Sequence, residues 1–323
     1  MFFPSSTREG ASLLRAYLIS EQLAEHGWNP VVVPAQLELS QRERVVRLFD
    51  PDLIFFQQCR HQYNDAAHAF GRKFVLDIDD ADFLDARLKD KLTRTCAAAS
   101  GVIGGSRFVR DWCAEHNPNT TIIWTGTPET SGARPDHAER PPIIAWAQSS
   151  PIGYHKELEF VRDFCTRMRA ASNVFTLRLY GVSIDSEREY LRRFFGPEQS
   201  LELLPLLSYD RFVRSLHEVS IGLSPIVYAF EFSRGKSFGK ILGYLDAKVP
   251  IIASDHADHG LFFSEHSGVI SNDPDRWVEA ATFLLNDAGA RNAMAEKAFE
   301  QFRAQLTTPV AARKVSDFLR PLV

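Results

Sequence analysis

The chain has 323 residues, 45% of them hydrophobic and 24% charged, which is enough to bury two cores of ordinary domain size and too apolar for a disordered polymer. Lysine and arginine number 37 against 41 aspartates and glutamates, a net charge of −4, which argues against a dedicated nucleic-acid binder while leaving room for a local basic patch. The four cysteines, Cys59, Cys96, Cys113 and Cys165, show neither Cys-x-x-Cys nor a secreted-framework spacing, the N-terminus lacks an export signal, and no apolar run is long enough to cross a bilayer. These features read as a cytoplasmic protein, with peripheral contact with the inner face of a membrane left open.

Short apolar runs alternate with amphipathic stretches along the first half. A first strand ends before the turn Thr7-Arg8-Glu9-Gly10, and the pattern of Leu13, Leu14, Tyr17, Leu18 and Ala24 predicts a helix face that stops at Gly27. Further strands are predicted at Val31 to Val33, Leu53 to Phe56, Phe74 to Ile78, Gly101 to Gly105 and Thr121 to Trp124. The stretch from Gly126 to Pro142, rich in proline, glycine and small polar residues, reads as a linker. Beyond it the alternation resumes, with strands at Ile143 to Ala147, Val174 to Gly181, Ser220 to Pro225, Val249 to Ser254 and Gly268 to Ser271, and a helix from about Lys156 to Ala171.

Strands that are apolar throughout and separated by helices imply parallel sheets covered on both faces. The predicted fold class is α/β, with two Rossmann-like doubly wound domains facing a cleft: residues 1–141, residues 142–305, and a last helix in 306–323 that packs back on the first domain. In such sheets ligands bind beyond the carboxyl ends of the strands. One predicted helix start there, "SRGKSFGK", gathers Arg234, Lys236 and Lys240 at the end where unpaired backbone N–H groups already make the potential positive, so the segment expects an anion.

The block "KILGYLDAKVPIIASD", with "REGASLLRAYLISEQLAEHGWNPVVV", "FVLDIDDADF", "GVIGGSRFVRDW" and "IIAWAQSSPIGYHKELEFV" in that order, resembles the GT-B glycosyltransferases, in particular glycosyltransferase family 4. The resemblance implies transfer of a sugar from a nucleotide diphosphate sugar to a saccharide or lipid-linked hydroxyl acceptor, with retention of configuration and without cofactor or metal. It implies Lys240 as the principal cation on the departing diphosphate, neighboured by Arg234, Lys236 and Ser237, with Lys156 as a second phosphate lysine. Family members commonly carry two glutamates eight positions apart in this block. Here Gly235 and Gly243 stand there, or Lys236 and Tyr244 if the register shifts by one. Either Glu231 enters from the preceding loop to hold the donor, or the pocket is degenerate and the protein is a binding or partner subunit.

The loop Asp77 to Asp82 contains four aspartates. Asp79 or Asp80 suits the acceptor side, orienting a hydroxyl or stabilising positive charge at the anomeric carbon, with helix capping as the alternative. Asp77-x-Asp79 also imitates a metal-binding acid pair. In "DHADH", His256 or Asp258 is expected to border the donor sugar, and the composition of that loop also admits zinc if it folds inward. Arg8, Gly10 and His61, each following a strand, complete the acceptor side. A two-domain solute-binding protein is a third reading, weakened by the missing export signal.

Overall fold

The computed structural model describes residues 1–227, 231–236, 238–256 and 258–323, and of Lys240 only the backbone. The chain forms two compact units: Met1–Pro128 with Phe230–Ser237 and Ala304–Val323, and Glu129–Ala229 with Phe238–Arg303.

The first unit holds a parallel sheet of β1 (Phe2–Phe3), β2 (Ile54–Gln57), β3 (Phe74–Ile78), β4 (Gly101–Gly104) and β5 (Thr120–Ile122), in that spatial order. Every residue of β2, β3 and β4 is buried, so these strands read as unbroken apolar runs in the sequence. Alternation of side chains then divides two cores. Phe3, Ile54, Phe56, Leu76 and Ile78 pack on one face with Leu92, Cys96, Val109 and Cys113, while Phe2, Phe55, Val75 and Ile103 pack on the other with Ile19, Leu23, Val315 and Leu319. The last helix, Thr308–Leu319, thus closes the first sheet, and Trp28 Nε1 donates to Ser316 Oγ at 2.9 Å.

The second unit holds β6 (Ile143–Trp146), β7 (Thr176–Leu179), β8 (Leu201–Leu203), β9 (Ile221–Ser224), β10 (Ile251–Ala253) and β11 (Val269–Ile270). Their spatial order is β11-β10-β9-β6-β7-β8, and all pairs are parallel. Trp146, Leu158, Phe164, Leu177, Leu223 and Trp277 centre its core. All four cysteines are buried free thiols.

The structure departs from the sequence expectations at several places. Val31 to Val33 is not a strand but a single bridge, Val32 to Phe2. The first helical run contains a π-helix, Leu13–Tyr17, which turns Ser12, Arg15, Ala16, Ile19, Ser20 and Leu23 inward. Leu13, Leu14, Tyr17 and Leu18 are therefore half-buried and Ala24 is exposed. The expected helix after Ser233 is two 3-10 turns, Glu231–Gly235 and Phe238–Lys240, and a five-residue α-helix, Leu242–Asp246. Gly235, Gly239 and Gly243 weaken the helical alternative there.

The expected linker is bound into the second unit. Arg140 donates to Val219 O at 3.0 Å and Ala247 O at 3.3 Å, Arg134 pairs with Asp246 at 2.7 Å, and His137 Nε2 lies 2.8 Å from Lys248 O. Strand β8 and the helices Asp185–Phe195 and Tyr209–Ser215 add to the elements predicted above.

Candidate functional site

Phe2 bridges to Val32 on one side and pairs with Phe55 on the other, so the first sheet winds away from β1 in both directions. In parallel α/β sheets the carboxyl ends of the strands at such a reversal are where ligands bind. The side chains there form a connected network. Ser5 Oγ lies 3.0 Å from both Gln57 Oε1 and Gln58 Oε1, and Ser12 Oγ donates to Gln57 Oε1 at 2.8 Å. Gln57 Nε2 is buried and has no partner among the described residues. Gln58, held in the left-handed region at φ 57°, aims its amide at Asp79 and donates to Oδ1.

The four aspartates at the end of β3 and just beyond it have separate environments. Arg15 grips Asp77 through Nε at 2.8 Å and Nη2 at 2.5 Å. Burial alone would lower the Arg15 pKa, but the Asp77 charge and hydrogen bonds, backed by Asp79 and Asp80, raise it above its ordinary value. Arg60 takes Asp82 at 2.6 and 2.9 Å and Asp80 at 2.7 Å. Asp79, 6% exposed, receives the Gln58 amide rather than a guanidinium. Burial first, then the adjacent Asp80 charge, push its carboxyl up to about 7 in spite of Arg15. Burial also raises the carboxyls of Asp77 and Asp82, but each of these is bonded to a guanidinium; Asp79, which is not, is an acid able to hold or release a proton near neutrality.

The other first-unit candidates sit apart from this network. Arg8 is exposed and pairs with Glu21 at 2.7 Å, and Gly10 has open space where a side chain would be. His61 accepts from Tyr63 N at 3.1 Å through Nδ1, and its Nε2 faces Ala35 O at 2.9 Å, so both nitrogens are used within the protein. Burial and the neighbouring Arg42 charge lower its pKa, which leaves it a neutral brace.

Glu231, Arg234 and Lys236 belong to the first unit rather than to a helix start in the second. Arg234 stacks over Phe108 at 4.5 Å and lies 3.7 Å from Glu231, and Lys236 Nζ sits 5.4 Å from the Phe232 ring centre. The aromatic rings and the carboxylate occupy the cations that the sequence assigned to an anion. A Cβ on Gly235 would lie 2.6 Å from Ala81 Cβ, so no larger residue fits that position as packed. Ser237 and the side chain of Lys240 lie outside the described residues.

In the second unit the winding reverses between β6 and β9. Beyond those strands, Glu157 accepts from Val227 N at 3.3 Å and Ser254 Oγ accepts from Ile226 N at 3.0 Å. The Tyr244 hydroxyl accepts from Ala147 N at 2.8 Å and donates to Ala145 O at 3.1 Å. That phenol is fully buried, and burial raises its pKa well above the ordinary value. A Cβ on Gly243 would meet the Phe212 ring at 2.3 Å. Hence neither of the alternative positions, 243 or 244, presents a side chain for a ligand.

Of the "DHADH" loop, His256, Asp258 and His259 are buried and Asp255 is exposed. Burial lowers the pKa of both histidines, and His259 Nδ1 lies 3.1 Å from Ser254 O. No three histidine, cysteine or acidic groups converge as a metal site among the described residues. Lys156 is half-exposed on the first turn of the helix His155–Ala170 and pairs with Glu159 at 3.0 Å.

Arg15, Gln57, Gln58, Arg60 and Glu157 are not singled out by the sequence. The one visible signal is the pair of glutamines directly after the apolar run of β2, polar residues where a buried strand meets a crevice.

Two parallel-sheet α/β units wound in this way define the GT-B fold. No family model and no curated protein matches the chain. Among solved structures it is similar to Anabaena HepE in complex with UDP and glucose, with a TM-score of 0.70 at 14% identity over 99% of this chain and 98% of that one. Sucrose-phosphate synthase from Thermosynechococcus elongatus gives 0.69 at 14% identity, covering 99% and 95%. Staphylococcus aureus TarM gives 0.64 at 12% identity over 87% of this chain, which spans 58% of TarM. At these identities the likeness establishes the fold. No helix among the described residues is long and apolar enough to cross a membrane.

Proposed function

We propose that the protein is a glycosyltransferase moving a sugar from a nucleotide diphosphate sugar, a UDP-sugar first of all, to a hydroxyl acceptor of saccharide or lipid-linked type. The observation that carries this reading is full-length similarity to HepE, whose solved structures contain UDP, UDP with glucose, and UDP-glucose. The second unit takes the donor, its diphosphate neutralised by Lys240 with Lys156 in support, and His256 and Asp258 border the sugar. Charge gathering on the leaving diphosphate is what such cations stabilise, and no metal is required for it.

The acid edge of the first unit takes the acceptor. Asp79, buried beside Asp80 and held by Gln58, is suited to orient the attacking hydroxyl and to carry its proton as the new bond forms. Retention of configuration is the outcome proposed from the family resemblance. Mass-spectrometric detection of products from purified protein with pooled nucleotide sugars and hydroxyl acceptors tests the whole reading. Transfer from a UDP-sugar is the expected result, and neither transfer nor donor hydrolysis with any nucleotide sugar would refute it.

A second reading is favoured by one specific observation: the positions where related enzymes place glutamates carry no carboxylate here, being closed by packing at Gly235 and Gly243 or, with the register shifted by one, occupied by Lys236 and the buried Tyr244. On that reading the chain binds a nucleotide and serves as a non-catalytic partner. Thermal stabilisation by UDP without turnover would select it.

A further inference from the structure

An open cavity of about 550 Å³ in the first unit is lined by Arg60, Asp82, Asp85, Arg87, Leu88 and Phe232. Its size falls within the ~300–1,000 Å³ typical of small-molecule sites. It adjoins the acid edge through Arg60, which reaches both Asp82 and Asp80. Asp85 caps the helix Ala86–Ala98 and holds Arg87 through Nε at 3.0 Å and Nη2 at 2.7 Å. Neither Arg60 Nη1 nor Arg87 Nη1 has a hydrogen-bond partner among the described residues. Phe232, packed against the core of the unit, and Leu88 supply the apolar wall.

We propose that this cavity binds a neutral pyranose ring, as the recognition subsite for the acceptor. The charge balance selects the class. Arg60, Arg87 and Lys236, whose Nζ lies 5.4 Å from the centre of the lining Phe232 ring, are balanced by Asp80, Asp82 and Asp85, so no net positive charge is left over for a phosphate or a uronic acid. Four of the six lining residues are charged, which excludes a lipid chain. A pyranose instead offers one face of C–H groups to an aromatic wall and a rim of hydroxyls that accept from free guanidinium N–H groups and donate to carboxylate oxygens. Sugar binding at this place stands independently; calling the sugar the acceptor rests on the glycosyltransferase reading.

The test is saturation-transfer-difference NMR on the full chain with neutral methyl pyranosides and disaccharides, against glucuronic acid and glucose 6-phosphate at equal concentration. Neutral sugars are expected to receive saturation and the charged ones to receive less. Phe232→Ala is expected to weaken the best neutral sugar about tenfold, and Arg87→Ala about threefold, as for loss of one contact in a small site. Arg87 is 88% exposed, so its variant keeps the test decisive if Phe232→Ala does not fold. Absence of transfer to every neutral sugar, preference for the phosphorylated sugar, or unchanged affinity in the folded variants would overturn the proposal. Neutral-sugar binding that survives while UDP fails to stabilise the protein would support this site and remove the glycosyltransferase reading instead.

Discussion

Asp79 shows how the same residue type is given different roles by position. Burial raises all three carboxyls, but Asp77 and Asp82 are pulled back by hydrogen bonds from Arg15 and Arg60, whereas Asp79 is held by an amide and rises from 3.8 to about 7. Between those values the folded chain keeps a proton that the unfolded chain has lost, so wild-type stability falls as pH rises through the window and levels off above it. Asp79→Asn removes the ionisation. On going from about pH 4 to about pH 8 the variant should gain on the wild type by a few kcal/mol, at ~1.4 kcal/mol per pKa unit. Urea unfolding of both proteins across that range checks this, and parallel pH profiles would contradict it. The same variant should lower sugar transfer ~100-fold or more, measured as initial rate with saturating donor. The acid cluster itself is plain in the sequence. Which aspartate stays unneutralised is not, because the partners Arg15, Gln58 and Arg60 come from other elements.

At the scale of elements, the central strands were legible because parallel strands buried on both faces cannot alternate, and "LIFF", "FVLDI" and "GVIGG" do not. The first helix was legible as a helix but not in its orientation. A π-helical turn shifts the register, and the pairing of Arg15 with Asp77 places a guanidinium where hydrophobicity alone would place leucine. The helix Leu242–Asp246 starts later than the sequence predicts, and its residues answer to tertiary partners. Tyr244 ties it to the end of β6 by bonds to Ala145 and Ala147, and Gly243 allows Phe212 to lie against it. Tyr244→Phe removes two hydrogen bonds of a fully buried hydroxyl and should cost ~1–3 kcal/mol, read from chemical denaturation. Gly243→Ala should cost a comparable ~1–3 kcal/mol through overpacking. If Gly243→Ala were neutral by the same measurement, the close contact with Phe212 would not hold.

At the scale of the molecule, the division into two α/β units follows from the alternation of strand and helix patterns, but the membership of each unit does not. The segment 231–236 joins the first unit through Phe232, Arg234 and Gly235, and the last helix caps the first sheet with Ala311, Ala312, Val315 and Leu319. Val315→Asp should therefore destabilise the first unit by ~3 kcal/mol or more, an unpaired charge placed in a closed core, with protease protection of the second unit largely retained. Equal loss of protection in both units would show that they do not fold separately. Under the proposed function the second unit holds a nucleotide diphosphate sugar through Lys240, and calorimetric titration of UDP into the wild type and Lys240→Ala reads that contact itself. Binding to the wild type and at least about tenfold weaker binding to the variant are expected; no heat of binding with the wild type, or equal affinity in the two proteins, would remove Lys240 from that role.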